Sequence, residues 1–309
     1  MSSLLVYFGG KHYQSRVIVP EMLKHKFTCY VEPYFGAGHV LWSLMKHLRQ
    51  NSRIDYIIND LSQLVYSFWK CVSDKNLYKE LMQRLIETPY SRDLKRDLDQ
   101  TMTLYMDIEN LGNNRRALLD NAWRLYVLSR QGYGGKLDGG GWGISYNGSP
   151  NHALSKFYKP MLKIPRYHKM IHRCQITNQD AFAVIKAADG DYTMFYCDPP
   201  YFDGDKKGLD AYLNEGASFA YIKKLFDLLS ECKGMSFVSH SYIQVVDDYV
   251  MAKPYWRRID LKVTSRLGST TGRCNLKKFH DCVYVLARDD QLVQSKQMDL
   301  FECMVDVYE

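Results

Sequence analysis

The run Tyr196-Cys197-Asp198-Pro199-Pro200-Tyr201 constrains this chain more than any other stretch. Asp191-Tyr192-Thr193-Met194-Phe195 before it is mostly β-branched or aromatic and reads as a buried strand. Proline lacks an N–H, so two in a row cannot continue a hydrogen-bonded ladder. The strand must stop at Asp198, leaving a carboxylate, a rigid turn and an aromatic ring at its carboxyl end. In open α/β sheets that end is where ligands bind. Asp-Pro-Pro is also an ordinary turn starter, so the rest of the chain decides.

Composition narrows the classes. With 309 residues, 46% apolar and 24% charged, the chain can bury one large core or two smaller ones. No apolar run is long enough to span a bilayer, and Met1–Tyr7 lacks the basic start and cleavage site of a signal peptide. A reducing, cytoplasmic setting is expected. The eight cysteines fit it as buried thiols, with no Cys-x-x-Cys pair. His168 and His172 lie one helical turn apart near Cys174, but no second cluster has ligand spacing, so no metal is expected. A net charge of +7 with 24 tyrosines is compatible with nucleic acid.

Along the chain, Tyr7-Phe8-Gly9-Gly10-Lys11 lacks the spacing of a nucleotide triphosphatase loop, leaving a Gly-Gly turn with Lys11 beside it. A short helix near 17–23 is expected to be interrupted at Pro20. Phe27–Val31 reads as a strand, Glu32-Pro33-Tyr34-Phe35-Gly36-Ala37-Gly38 as a glycine loop, and His39–Leu48 as a helix. That order places a cofactor at a helix N-terminus. Leu41 stands where a dinucleotide fingerprint needs its third glycine, which argues for a nucleoside cofactor other than NAD. Glu32 is placed to meet a cationic amino group, although a lone Gly-x-Gly is equally a plain turn. Asp55–Asp60 is the second strand. Asp60 either binds ribose hydroxyls or caps the helix over 61–72.

From about 73 to 173 the strand–helix alternation stops. Helical patterns cover 77–87, 94–108 and 115–130, followed by the glycine-rich stretch 131–143. Tyr133, Lys136 and Trp142 in that stretch are residue types that stack on bases or meet phosphates; a flexible connector is the alternative. Lys156, Lys159, Lys163, Arg166, Lys169 and Arg173 form either a phosphate-facing surface or a solvated helix face. The sheet resumes with strands at 174–178 and 191–198. Asp180 either contacts a cofactor base or caps a helix. A polar loop at 202–216, a helix at 218–232 and strands at 234–241, 256–263 and 281–287 follow. The Ser/Thr/Gly/Arg loop 264–273, with Lys277 and Lys278, is a phosphate-gripping hairpin or a surface loop.

Together these features resemble the Dam-type (D12 class) adenine-specific DNA methyltransferases, over roughly residues 5–287. The resemblance rests on Gly-Gly-Lys (9–11), Val-Glu-Pro-Tyr-Phe-Gly-Ala-Gly (31–38), Asn-Asp (59–60), Arg-x-Gly-Tyr-x-Gly (130–135), Asp180 and Tyr-Cys-Asp-Pro-Pro-Tyr (196–201). It implies a Rossmann-like methyltransferase sheet from 1–72 and 174–290, an inserted, mainly helical target-recognition domain at 73–173, and a tail at 291–309. It implies S-adenosylmethionine as cofactor, lined by Tyr7, Lys11, Glu32, Phe35, Gly36, Gly38, Asp60 and Asp180. It implies double-stranded DNA as partner, met by Arg130, Tyr133, Lys136, Trp142, Arg266, Arg273, Lys277 and Lys278.

The resemblance also gives the opening motif a mechanism. An adenine exocyclic amine is a poor nucleophile because its lone pair is delocalised into the ring. Asp198 and the Pro199 carbonyl would each accept one of its N–H bonds, with Pro200 stiffening the turn and Tyr201 stacking on a flipped base. In the relatives that read GATC, an apolar residue and an arginine follow the Gly-Tyr-x-Gly turn. Lys136, Leu137 and Asp138 stand here, so the resemblance leaves the target open between GATC, another site and relaxed specificity. Gln297-Met298-Asp299-Leu300-Phe301 resembles the short motif that docks replication proteins on the sliding clamp; an apolar tail packing on its own domain is the alternative. Two other readings stay open at this level: methylation of a cytosine or RNA amine, and a catalytically silent DNA-binding module.

Overall fold

The structure, a computed structural model, describes residues 3–6, 11, 13–48, 53–101, 114–132, 142, 151–202, 218–261 and 281–287. Its strands form a seven-stranded sheet: β1 (Cys29–Glu32), β2 (Asp55–Asn59), β3 (Cys174–Thr177), β4 (Thr193–Cys197), β5 (Met235–Ser241), β6 (Trp256–Leu261) and β7 (Asp281–Leu286), in the order β3-β2-β1-β4-β5-β7-β6. The pairs β1–β4, β2–β3 and β4–β5 are parallel, and β7 runs antiparallel to both β5 and β6. This is the Rossmann-like methyltransferase sheet. The chain divides into two compact units: Met1–Gly10, Phe35–His39 and Tyr56–Asp180; and Lys11–Tyr34, Val40–Asp55 and Ala181–Glu309.

The second unit holds β1 and β4–β7. All five residues of β4 are buried, as their apolar run requires, and in β5 only Ser241 is partly exposed. Register sets Val31 beside Phe195 and Cys197 beside Val238, so the carboxyl ends of these strands lie at one edge. Strand order reverses between β1 and β4, which is where ligands bind in such sheets. Helix α1 (Ser15–Met22) runs through Pro20. The expected interruption does not occur. The one i to i−4 bond that Pro20 cannot make would end on Arg16, an exposed residue in the first turn, so the helix loses little by passing through the proline. Helix α2 spans His39–His47, and α9 (Ala181–Ala187), α10 (Phe219–Glu231) and α11 (Gln244–Met251) complete the described helices of this half. No element was expected over 244–251.

The first unit combines β2 and β3 with α3 (Gln63–Ser73), α4 (Leu77–Glu87), α5 (Arg92–Gln100), α6 (Arg115–Gln131), α7 (Asn151–Met161) and α8 (Ile164–Ile171). It is larger than the 73–173 insertion read from the sequence. Helix α3 is drawn into it because Phe68 stacks on Tyr126 (ring centroids 6.3 Å apart) and Asn121 of α6 donates to Ser67 of α3 (3.3 Å). Leu81, Leu85, Leu125, Phe157, Ile164 and Ile171 are fully buried among the helices. Buried polar groups find partners: Tyr126 donates to the Phe157 carbonyl at 2.7 Å, and Trp123 to Thr88 Oγ1 at 2.7 Å. Asn114 caps α6 by accepting from Ala117 at 2.8 Å. Among the described residues no helix is long and apolar enough to cross a membrane.

Candidate active site

Two carboxylate-centred clusters emerge, one in each unit. In the second unit, β4 ends at Cys197 and Asp198 follows at the sheet edge, where Pro199 and Pro200 forbid further pairing. Burial pushes the Asp198 carboxyl up from its ordinary value, and the neighbouring Lys11 ammonium pulls it partly back. Lys11 Nζ lies 3.1 Å from Asp198 Oδ1 and 4.4 Å from the centroid of the Tyr201 ring. Its side chain is only 6% exposed, so the ammonium is held where a paired charge is needed. Expected at the cofactor, Lys11 is found on the carboxylate of the Asp-Pro-Pro-Tyr turn.

Tyr201 is fixed by its ring. Its hydroxyl is buried beside the Asp198 carboxylate, and burial together with that neighbour raises its pKa, keeping the phenol neutral. The ring packs against His240, centroids 4.9 Å apart and planes 33° apart. His240 Nε2 accepts from the Phe202 backbone N–H at 3.1 Å. Nδ1 must therefore carry the proton, and it donates to the Ser241 carbonyl at 2.7 Å. Burial holds this imidazole neutral, its pKa pushed down to about 4. His240 thus clamps the backbone just past Tyr201. Sequence reading missed it; the available signal was the polar Ser239-His240-Ser241 triplet closing an apolar strand next to β4. Ser239 and Ser241 extend the bracket, the first to the Tyr196 hydroxyl at 2.9 Å and the second to Asp281 Oδ1 at 3.1 Å. At the end of β1, Glu32 is buried and accepts from the Tyr30 hydroxyl at 2.8 Å.

In the first unit, the turn after β1 is built on Gly36 (φ 48°) and Gly38 (φ 66°), a backbone region that penalises any Cβ. Gly36 N–H donates to Asp60 Oδ2 at 2.8 Å, and Ser62 N–H to Asp60 Oδ1 at 2.9 Å. Trp69 Nε1 donates to the Gly36 carbonyl at 2.8 Å. Desolvation raises the Asp60 pKa to about 6 against these two backbone donors. Asp60, Phe35, Asn59, Trp69 and Thr177 line a hollow of about 150 Å³, open to solvent. Asn59 was quoted in a motif but given no role. Its Oδ1 accepts from Gln179 N–H and Thr177 Oγ1, both at 2.9 Å, and its Nδ2 donates to the Gln179 carbonyl at 2.9 Å. Asn178 returns the contact to the Asp60 and Leu61 carbonyls at 2.7 and 3.0 Å. The turns after β2 and β3 are therefore locked together, with Asp180 exposed at the end of the second.

Among the DNA-facing expectations, Arg130 is found elsewhere. Its guanidinium donates to the Leu4 carbonyl at 2.8 Å and to the Ser3 carbonyl, so it ties down residues 3–4. Trp142 packs on Tyr90 (5.4 Å between centroids), its indole N–H buried and unpartnered among the described residues. Tyr7, Tyr133, Lys136, Arg266, Arg273, Lys277, Lys278 and the 297–301 pentapeptide lie outside the described residues.

No curated relative matches the sequence. Among solved structures, the rRNA methyltransferase aviRa from Streptomyces viridochromogenes is 13% identical, covering 93% of this chain and 90% of that one, with a TM-score of 0.41. A SAM-dependent O-methyltransferase from Thermotoga maritima is 9% identical, covering 91% and 68%, with a TM-score of 0.36. Both likenesses are too loose to assign a substrate. The family described as D12 class N6 adenine-specific DNA methyltransferase matches residues 7–266, which takes in both clusters. The cofactor of that family, S-adenosylmethionine, suits the residues present. A carboxylate with both oxygens on backbone donors keeps lone pairs for two ribose hydroxyls, and Phe35 and Trp69 offer apolar walls. The chain belongs to the D12 class N6 adenine-specific DNA methyltransferases.

Proposed function

We propose that the protein methylates the exocyclic amine of an adenine turned out of a DNA duplex at a specific site. The observation that carries this reading is the partly buried Asp198 carboxylate at the end of β4, with one oxygen on Lys11, followed by two prolines that lack the N–H needed to continue the ladder. S-adenosylmethionine supplies a methyl group activated by a sulfonium. Asp198, through its second oxygen, and the Pro199 carbonyl each accept one N–H of the amine. This localises the nitrogen lone pair toward the methyl carbon, and pre-aimed acceptors of this kind contribute about 3 kcal/mol each. An amine that accepted that methyl group would have one proton to give up. Asp198, its pKa raised by burial, is an acceptor for it. Pro200 stiffens the turn, Tyr201 supplies a stacking face, and His240 fixes both.

Asp60 takes the ribose, Glu32 the amino group and Asp180 the adenine of the cofactor, against Tyr7, Phe35, Gly36 and Gly38. The 73–173 insertion reads the target, with Tyr133, Lys136 and Trp142 on its glycine-rich stretch. Arg266, Arg273, Lys277 and Lys278 grip the duplex from the 264–278 segment. Arg130 serves this contact indirectly by fixing residues 3–4. The test is to sequence DNA from cells expressing the protein with a method that detects methyladenine. Modified adenine at a defined site is expected with the wild type and none with Asp198→Ala. Unmodified DNA with the wild type would sink the function, and modification surviving Asp198→Ala would sink the mechanism.

A further inference from the structure

From Asn151 to Gln179 the chain contains no Asp or Glu, yet six Lys and Arg fall between 156 and 173. Their spacing of three or four residues follows the helical repeat. On α7, its link to α8, α8 itself and the residue pair after it, all six are exposed: Lys156, Lys159, Lys163, Arg166, Lys169 and Arg173. The opposite face, Phe157, Met161, Ile164, Tyr167 and Ile171, is buried in the helical unit. The neighbouring helices are built differently. Arg96 pairs with Asp93 at 3.1 Å, Lys95 with Asp99, Arg115 with Glu80, and Arg84 with Asp120. Among the described residues no carboxylate pairs with Lys156, Lys159, Arg166 or Lys169. Like charges at helical spacing repel, so a face that only needed water would gain from interspersed acids, as on α4–α6. A row of cations without counter-charge is instead complementary to a row of phosphates.

We infer that the outer face of α7–α8 is a phosphate-binding surface that holds duplex DNA flanking the methylated site. The inference rests on DNA being the substrate, and it adds a contact that reads no sequence: affinity and register come from the backbone, not from base edges.

The experiment compares three proteins on a mixed-sequence DNA duplex of about 40 base pairs, over a range of salt concentrations. They are the wild type, a variant with Lys156, Lys159, Arg166 and Lys169 all changed to Gln, and a charge-matched control with Lys75, Lys79, Arg92 and Arg96 changed to Gln. All eight positions are exposed, so the fold should survive, which unchanged S-adenosylmethionine binding would verify. Each lost phosphate contact lowers the slope of log affinity against log salt by about 0.9. The face variant is expected to lose about 3 to 4 from that slope and the control less than about 1. Equal slopes in the two variants would overturn the inference by reducing it to net charge. So would competition by double-stranded RNA as effective as by DNA, which would give the face to another nucleic acid. The slope is a binding measurement, so it is read even if no adenine is methylated, and that second result would count against the proposed function alone.

Discussion

Lys11 and Asp198, 187 positions apart in sequence, form an ion pair at 3.1 Å whose ammonium also sits 4.4 Å from the Tyr201 ring centroid. One buried cation thus touches both the carboxylate and the ring to which the proposed mechanism assigns the amine and the base. Burial raises the Asp198 pKa and Lys11 restrains the rise. Substituting Lys11→Met removes the restraint, so the carboxyl protonates at higher pH. The acidic limb of the kcat/KM profile should move to higher pH, with activity partly recovered on the alkaline side. An unmoved limb would show that Asp198 ionisation does not govern the rate.

Tyr201 separates ring from hydroxyl. Its hydroxyl lies beside Asp198, where it offers at most one weak neutral interaction, whereas its ring packs on Lys11 and His240. Tyr201→Phe should keep activity within about threefold, while Tyr201→Ala loses a stacking platform worth about 1–3 kcal/mol and falls by about tenfold to a hundredfold. Single-turnover rates on duplex DNA would decide, and a Phe variant as damaged as the Ala variant would refute the division.

His240 acts through the backbone of Phe202, so the acceptor matters more than the ring. His240→Gln keeps an acceptor near Nε2, and His240→Phe keeps a ring but leaves the Phe202 N–H unpaired. Methyl transfer should fall about tenfold or more in the Phe variant and recover in part in the Gln variant, with cofactor affinity equal in both. The imidazole also has a stability signature. Its folded pKa is depressed from 6.5 to about 4, so its contribution is full above 6.5 and lost as pH falls through about 4. Denaturant melts of the wild type should lose stability over that window, His25 adding to the loss, and the Gln variant should lose less.

Asp60 runs the other way. Its folded pKa is raised from 3.8 to about 6, so its favourable contribution is full below 3.8 and lost as pH rises through about 6. Ionised Asp60 burdens the unliganded protein, but it is the form that best accepts ribose hydroxyls. S-adenosylmethionine should therefore bind more tightly as pH rises from 5 to 7 by calorimetry, and Asp60→Ala should flatten that dependence and weaken binding by about tenfold or more. A wild-type affinity independent of pH would remove Asp60 from the ribose.

Asn59 offers a control for the same turn. Asn59→Ala cuts three hydrogen bonds to residues 177 and 179 while leaving Asp60 on Gly36 and Ser62. Weaker cofactor binding with the pH dependence retained is expected; a loss of the pH dependence would mean that the two residues act as one.

Elements whose period matched their burial were legible in the sequence: Leu77–Glu87 agrees to the residue, and the strand before Asp198 is buried throughout. Asp198 was legible because two prolines end the strand before it, and Asp60 because it closes the strand that follows the glycine loop and its helix. What escaped was tertiary. Arg130 looked like a surface cation because nothing local shows that Ser3 and Leu4 come to meet it. His240 looked like strand filler because its partner is a backbone N–H 38 positions away. The helix over 244–251 escaped because only Val246, Asp247 and Val250 face inward, too narrow a stripe to stand out across two turns.

The register of β1 against β4, with Cys29 beside Thr193, has a consequence for how the protein is made. A ribosome adding about 5–20 residues per second needs about 8–30 seconds to supply the partner strand after β1 has emerged. During that interval the continuous stretch 56–180, the bulk of the first unit, leaves the ribosome, while Tyr30 and Val31, buried in the finished sheet, still lack their β4 partners. Asp198 leaves the ribosome directly behind the strand that ends the wait. The carboxylate at the strand end is therefore delivered together with the strand that completes the β1–β4–β5 pairing, and a nascent chain stalled before β4 would hold every residue of the helical unit but lack Asp198.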